Sequence, residues 1–155
     1  MKIILFRFEK EKINFIECDI DSGNLIIGNK DNMPLESAES RGEKYNKVLD
    51  EFLHLWTKYP NSIFAYQAPQ RYMGAIKDVE GFANASMLHL FCYQNSIDIL
   101  ELTSVSVREK LSIPNKDFKT LLEKEKISVC EKYKIAKSDK ILDGLVSLSL
   151  LSETF

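Results

Sequence analysis

The chain has 155 residues, 45% of them hydrophobic and 28% charged, with a net charge of −2. That is enough for one domain with a proper core, residues 1–155, and the weak negative charge argues against a protein that coats nucleic acid indiscriminately. No apolar run approaches the roughly 18 residues of a membrane span. Cys18, Cys92 and Cys130 form no CxxC pair, so a reduced, cytoplasmic protein is expected.

The first stretch, "KIILFRF" in "MKIILFRFEKEK", is apolar and β-compatible. Charges follow at once with no small-residue cleavage site, so it reads as a strand rather than a signal peptide. "EKEK" turns the chain into a second strand, "INFIECDI". "DSGN" turns it again, Gly23 and Asn24 being able to take positive φ, into a short third strand, "LIIG". "NKDNMP" reads as a loop. A helix is expected from about Glu36 to Tyr59, with Val48, Leu49, Phe52, Leu55 and Trp56 at helical spacing. Gly42 weakens its start, and Pro60 and Asn61 end it.

"SIFAYQA" has the compact apolar character of a strand buried on both faces. "QRYMGAIKD" reads as a loop. A helix then spans about Val79 to Gln94, with the small residues Gly81, Ala83, Ala85 and Ser86 permitting close packing on a sheet. "SIDILELT" is the next strand and "SVSVREKL" a short helix. Pro114 breaks the chain before a helix that begins at Asn115 or Lys116. Ser138 is placed to cap a last helix, "KSDKILDGLVSLSLL", which is apolar nearly all round yet contains Asp143. Three strands, helix, strand, helix, strand, helices: the meander is antiparallel and the later crossovers imply parallel neighbours. An α/β fold with a mixed five-stranded sheet flanked by helices results.

Charge is unevenly spread. From Ser104 to Lys140 ten Lys and Arg face six Asp and Glu, a net +4, which leaves −6 for the remainder. Such a basic third can contact phosphates, or it is a solvated helical face, as "LLEKEK" reads. "APQRYMGAIKD" offers Gln70, Arg71, Tyr72 and Lys77, an aromatic with two cations, which suits a phosphate backbone and an unstacked base. His54 and His89 lack partners at metal-ligand spacing and read as packing or surface residues.

The element order is similar to the RNase H-like fold, and several stretches resemble the RuvC branch of Holliday-junction resolvases. "KIILFRFE" resembles that family's first strand, "IFAYQAP" its central strand, and "ILELTSVSVREKLSIPNKDFKTLL" the segment after its fifth strand. "SDKILDGLVSLSL" resembles its final helix. The resemblance implies a two-metal nuclease, in which carboxylates from the first strand, the fourth strand and the last helix hold two Mg²⁺ ions. Carried over residue by residue, the first-strand aspartate falls on Phe8, with Glu9 adjacent. The fourth-strand glutamate falls on Gln67. The last helix keeps Asp143, while its partner falls on Lys140, with Asp139 four residues before Asp143 on the same helix face. Asp143 is then expected to accept from Gln67 or to pair with Lys140. The resemblance also places Arg108 and Lys110 at a basic pair expected to bind phosphate.

The expectation is a degenerate RuvC-like protein with an eroded site. It needs no cofactor and binds branched or single-stranded nucleic acid, or a protein, without cutting. One alternative is an active endonuclease with Mg²⁺ or Mn²⁺ at a site rebuilt from Glu9, Asp139 and Asp143. Another is a protein-interaction module. A homodimer is implied by the resemblance.

Overall fold

A computed structural model of the chain describes residues 1–36, 38–68, 71–72, 75–76 and 79–155, with backbone alone at 71–72 and 75–76. Strand β1 (Lys2–Phe8) pairs antiparallel with β2 (Lys12–Asp21), and β2 with β3 (Asn24–Pro34). Ser22 and Gly23, at φ of 51° and 79°, make the second turn. That is one residue earlier than expected, and Asn24 is already strand. β3 is also much longer than "LIIG": the segment read as a loop, "NKDNMP", is its second half. Most of that half faces water. An edge strand needs only backbone partners on one side, so its polar residues hid it from hydrophobic patterning.

Helix α1 runs Arg41–Lys58, not from Glu36. Ser40 caps it, its hydroxyl accepting from the Glu43 N–H at 3.1 Å. Upstream, Leu35 is buried and its N–H bonds the Glu11 carbonyl at 2.7 Å, which ties that segment to the first turn instead. β4 (Ile63–Gln67) pairs parallel with β1. The stretch read as a loop contains two short strands, β5 (Arg71–Tyr72) and β6 (Ala75–Ile76), paired antiparallel. Helix α2 (Val79–Gln94) leads to β7 (Ile99–Leu102), parallel to β4. The five-stranded sheet has the order β3-β2-β1-β4-β7. The expected α/β architecture, a meander followed by parallel strands, is present.

Helices α3 (Ser104–Leu111), α4 (Asn115–Tyr133) and α5 (Leu142–Leu151) complete the chain, followed by a single 3-10 turn. Thr103 and Ser106 form a reciprocal capping box at α3. α5 starts later than the sequence implied, and Ser138 does not cap it. The N-cap is Ile141, and the Asp139 carboxylate accepts the Ile141 N–H at 3.2 Å. The Leu142 N–H bonds the Asp139 carbonyl at 3.1 Å, so residues 139–141 form a tight turn, with Ile141 buried against the core.

Strand alternation divides the core into two halves. Ile4, Phe6 and Phe8 of β1 face α1 and α2, among Val48, Phe52, Leu88 and Phe91. Ile3 and Leu5 face the other way, among Leu142, Leu145 and Val146 of α5. α5 lies very close to β1. A Cβ on Gly144 would sit 3.0 and 3.1 Å from the two methyl carbons of Leu5. Any side chain there must push the helix or Leu5 aside. Gly144→Val is expected to cost about 1–3 kcal/mol in urea denaturation, the usual cost of overpacking; an unchanged midpoint would show that the contact is slack.

Candidate functional site

β1 and β4 are parallel, so they end at the same edge of the sheet, and α5 begins over those ends. Gln67 is the last residue of β4 and Asp143 the second of α5. Gln67 Nε2 donates to Asp143 Oδ2 at 3.5 Å, the outer limit for a hydrogen bond. The contact expected between these two residues is therefore present but long. The expected pairing of Asp143 with Lys140 is not made. Lys126 of α4 stands instead at 4.0 Å from Asp143 Oδ1, and Asp143 remains 62% exposed.

Phe8 is not on this face. Its ring stacks on Phe6, 5.8 Å between centroids, inside the α1 half of the core. The residue of β1 that does face α5 is Arg7, two positions on from Leu5. The parallel register pairs Leu5 with Ala65 and Phe6 with Tyr66. One residue further, it brings Arg7 level with Gln67. On its other side Arg7 pairs with Asn14 of β2. The first-strand position of the site is therefore held by a guanidinium. The register by letters missed it by one residue, which in a strand means the opposite face.

The other two carboxylates lie apart from Asp143, and both are neutralised. Glu9 is only 14% exposed and pairs with Lys140 Nζ at 2.9 Å and Lys12 Nζ at 3.8 Å. It also accepts from Asn14 Nδ2. Asp139 precedes α5, so it does not share a helix face with Asp143. It is paired with Lys30 of β3 and bonded to the Ile141 N–H. Burial pushes its pKa up. The Lys30 hydrogen bond, the Ile141 N–H and the charges of Lys30 and Lys12 outweigh burial and hold it below the usual carboxylate value. Glu9, Lys12, Asn14, Lys30, Asp139 and Lys140 form a polar patch of their own.

A cleft of about 580 Å³ opens beside Gln67 and Asp143. Thr103 and Ser104, at the start of α3, line one wall. Lys119, Glu123 and Lys126 of α4 line another. Arg108 and Lys110 do not line it. They sit in the last turn of α3, where a cation complements the helix dipole. The cations that do reach the cleft, Lys119 and Lys126, lie in the stretch that reads as a solvated face. Their spacing of seven, with Leu122 between them on the same wall, is the signal that could have found them. Of the loop residues, Arg71 and Tyr72 are in β5 with only their backbone described, and Gln70 and Lys77 lie outside the described residues.

The donor set does not fit a pair of Mg²⁺ ions. Hard divalent cations need several carboxylate oxygens converging. Here a guanidinium and an amide stand beside one solvent-exposed carboxylate. Among the described residues no group of three or more His, Cys, Asp and Glu is placed to hold a metal ion. Nor is there a poised thiol at Cys18 or Cys92: burial pushes both up to about 12. His89 bonds the Tyr66 hydroxyl at 2.6 Å on the α2 side of the sheet, remote from Asp143. Among the described residues no helix is long and apolar enough to cross a membrane.

No family model and no curated protein matches the chain. Solved structures do. Thermus thermophilus RuvC is similar at a TM-score of 0.67 and 9% identity, covering 97% of this chain and 92% of that one. The same protein in complex with a Holliday junction substrate gives 0.63 and 9%, over 97% and 91%. The yeast mitochondrial Holliday junction resolvase gives 0.58 and 14%, over 97% and 78%. The chain has the RuvC-like form of the RNase H-like fold.

The state of Asp139 has a measurable consequence. A carboxyl whose pKa is lowered by folding stabilises the fold above its unfolded value and ceases to as pH falls through the folded one. Asp139→Asn is expected to melt below the wild type at neutral pH, and the gap to close as pH falls below 3.8. A gap that persists in acid would mean the Lys30 pair contributes nothing.

Proposed function

We propose that this chain uses the RuvC-like scaffold to bind nucleic acid without cutting it. The observation that carries the reading is the state of the carboxylates. Glu9 and Asp139 are each held by lysines, and of the three only Asp143 faces the cleft, beside an amide and with Glu123 on the α4 wall. Two metal ions need several anionic ligands to offset their charge. The ion pairs of Glu9 and Asp139 favour this reading over a nuclease rebuilt from Glu9, Asp139 and Asp143, since each pair would have to break first. The nucleic-acid part rests on the cleft's lysines and on the fold, two of whose solved neighbours are resolvases in complex with Holliday junctions.

The direct test uses a labelled four-way junction and a single strand of the same length. Binding is expected in EDTA and is expected to weaken as salt rises. Replacing both Lys119 and Lys126 by Ala should lower affinity and flatten the salt slope by about one for each phosphate that is no longer neutralised. No cleavage is expected with Mg²⁺ or Mn²⁺. Cleavage by the wild type that Asp143→Asn abolishes would overturn the proposal.

The reading includes a homodimer through α2. This helix exposes Val79 (68%), Phe82 (38%), Leu90 (55%) and Tyr93 (85%) along one side, with Ser86 at the middle. An antiparallel pair of α2 helices centred on Ser86 sets Val79 against Tyr93 and Phe82 against Leu90 of the second copy. That self-complementary pattern is what a two-fold interface requires. Glu80, the helix's one charged residue, is engaged by Lys44 at 3.3 Å, so no like charges meet. Leu90→Glu with Tyr93→Glu is expected to halve the mass measured by sedimentation; a wild type that already sediments as a monomer would remove the dimer.

A further inference from the structure

Arg7 is a partly buried cation with no ion-pair partner among the described residues. Its flanks, Phe6 and Phe8, are buried on the opposite face, and its own side chain is partly buried on the α5 face. Its Nε is buried with no hydrogen-bond partner. None of the ion pairs among the described residues includes it. Glu9, two residues on, is taken by Lys140 and Lys12. Asp143, over the strand ends, is engaged by Gln67 and Lys126. The Gln67 Oε1 level with Arg7 is likewise buried and unpartnered. A partly buried guanidinium without a counter-ion is destabilising. Lys12, Lys140, Lys30 and Lys126, by contrast, are each paired with one of the carboxylates Glu9, Asp139 and Asp143.

We propose that Arg7 is a built-in cation that takes the place of metal in this site and binds a phosphate group of nucleic acid directly. The guanidinium presents a planar fork of donors that matches two phosphate oxygens, and it is charged at any pH the fold survives. It carries one positive charge rather than two or four, and it activates no water. It therefore holds a phosphodiester in the place where a nuclease would cut one. Gln67 beside it lines the cleft together with Ser104, Lys119 and Lys126, which lets the chain continue along a wall of donors. Asp143 and Glu123 also line that cleft and oppose an anion. The two lysines offset them; Arg7 does not itself line the cleft and adds its charge from the strand position beside Gln67. This deepens the nucleic-acid reading and rests on it for the source of the phosphate.

The test compares wild type, Arg7→Gln and Arg7→Lys in EDTA. Fluorescence anisotropy with a labelled single strand is expected to show Arg7→Gln binding about tenfold more weakly or worse, the usual scale for losing a charged hydrogen-bond donor. Arg7→Lys should fall between, since it keeps the charge and loses the fork. Misfolding would not explain the loss, because Arg7→Gln removes an unpaired charge and is expected to melt about 2–4 °C higher. In a second arm, inorganic phosphate is titrated while the Arg7 Nε–H resonance is followed by NMR. Movement of that resonance without any binding of the single strand would uphold the anion site, remove the nucleic-acid reading, and make a free phosphate compound the ligand. A single strand that binds wild type and Arg7→Gln alike, with an Nε–H resonance unmoved by phosphate, would overturn the proposal. A third arm restores carboxylates. Arg7→Asp with Gln67→Glu is expected to gain a melting-temperature rise in Mn²⁺ that the wild type lacks. A rise in the wild type itself would put a metal where Arg7 is claimed to act.

Discussion

The contact between Gly144 and Leu5 fixes the rest of the site. With no Cβ at 144, α5 can rest directly on the methyls of β1. That puts the start of the helix over the ends of β1 and β4, and so brings residues distant in sequence to one edge. Leu5 also sets the parity of its strand. If Leu5 faces α5, then Arg7 faces it too, and Phe6 and Phe8 belong to the other half of the core. The aromatic cluster of Phe6, Phe8, Phe52 and Tyr66 then locks that parity, since a slip of one residue would drive Phe6 and Phe8 into the tightly packed α5 side and break their ring contacts.

Around this edge the charges are arranged by pairing rather than by convergence. A metal site gathers like charges and relies on the ion to hold them together. Here Glu9 is matched within the chain by Lys140 and Lys12, and Asp139 by Lys30, while Asp143 has Lys126 at 4.0 Å. Lys30 comes from the water-facing half of β3, so the long edge strand is part of this arrangement. The result is an edge that is stable without a ligand, except at Arg7.

Much of the architecture is legible in the sequence because it is written in apolar periodicity. The meander, the parallel strands, the placing of Gln67 near Asp143, and the resemblance to resolvases all follow from buried runs in the right order. What is not legible depends on features that periodicity does not encode. The second half of β3 is polar because it is an edge. The turn at residues 139–141 looks helical because Asp139 and Asp143 stand four apart, but the Asp139 carboxylate takes the Ile141 N–H and pairs with Lys30 of distant β3. Phe8 matches by its letter position, while a strand assigns faces by alternate residues. Lys119 and Lys126 read as solvent-facing, since nothing local says that α4 passes beside the ends of β4 and β7.

The three cysteines differ in a way that bears on how the molecule can be handled. Cys18 and Cys92 are buried, with thiols pushed up to about 12, and at neutral pH they hold their protons inside the core. Cys130 is partly accessible on α4, one helical turn beyond Lys126. A thiol-directed dye or spin label should therefore attach at a single place without any engineering, and that place is on the helix that walls the cleft. The native chain thus carries its own attachment point for a reporter on what enters there.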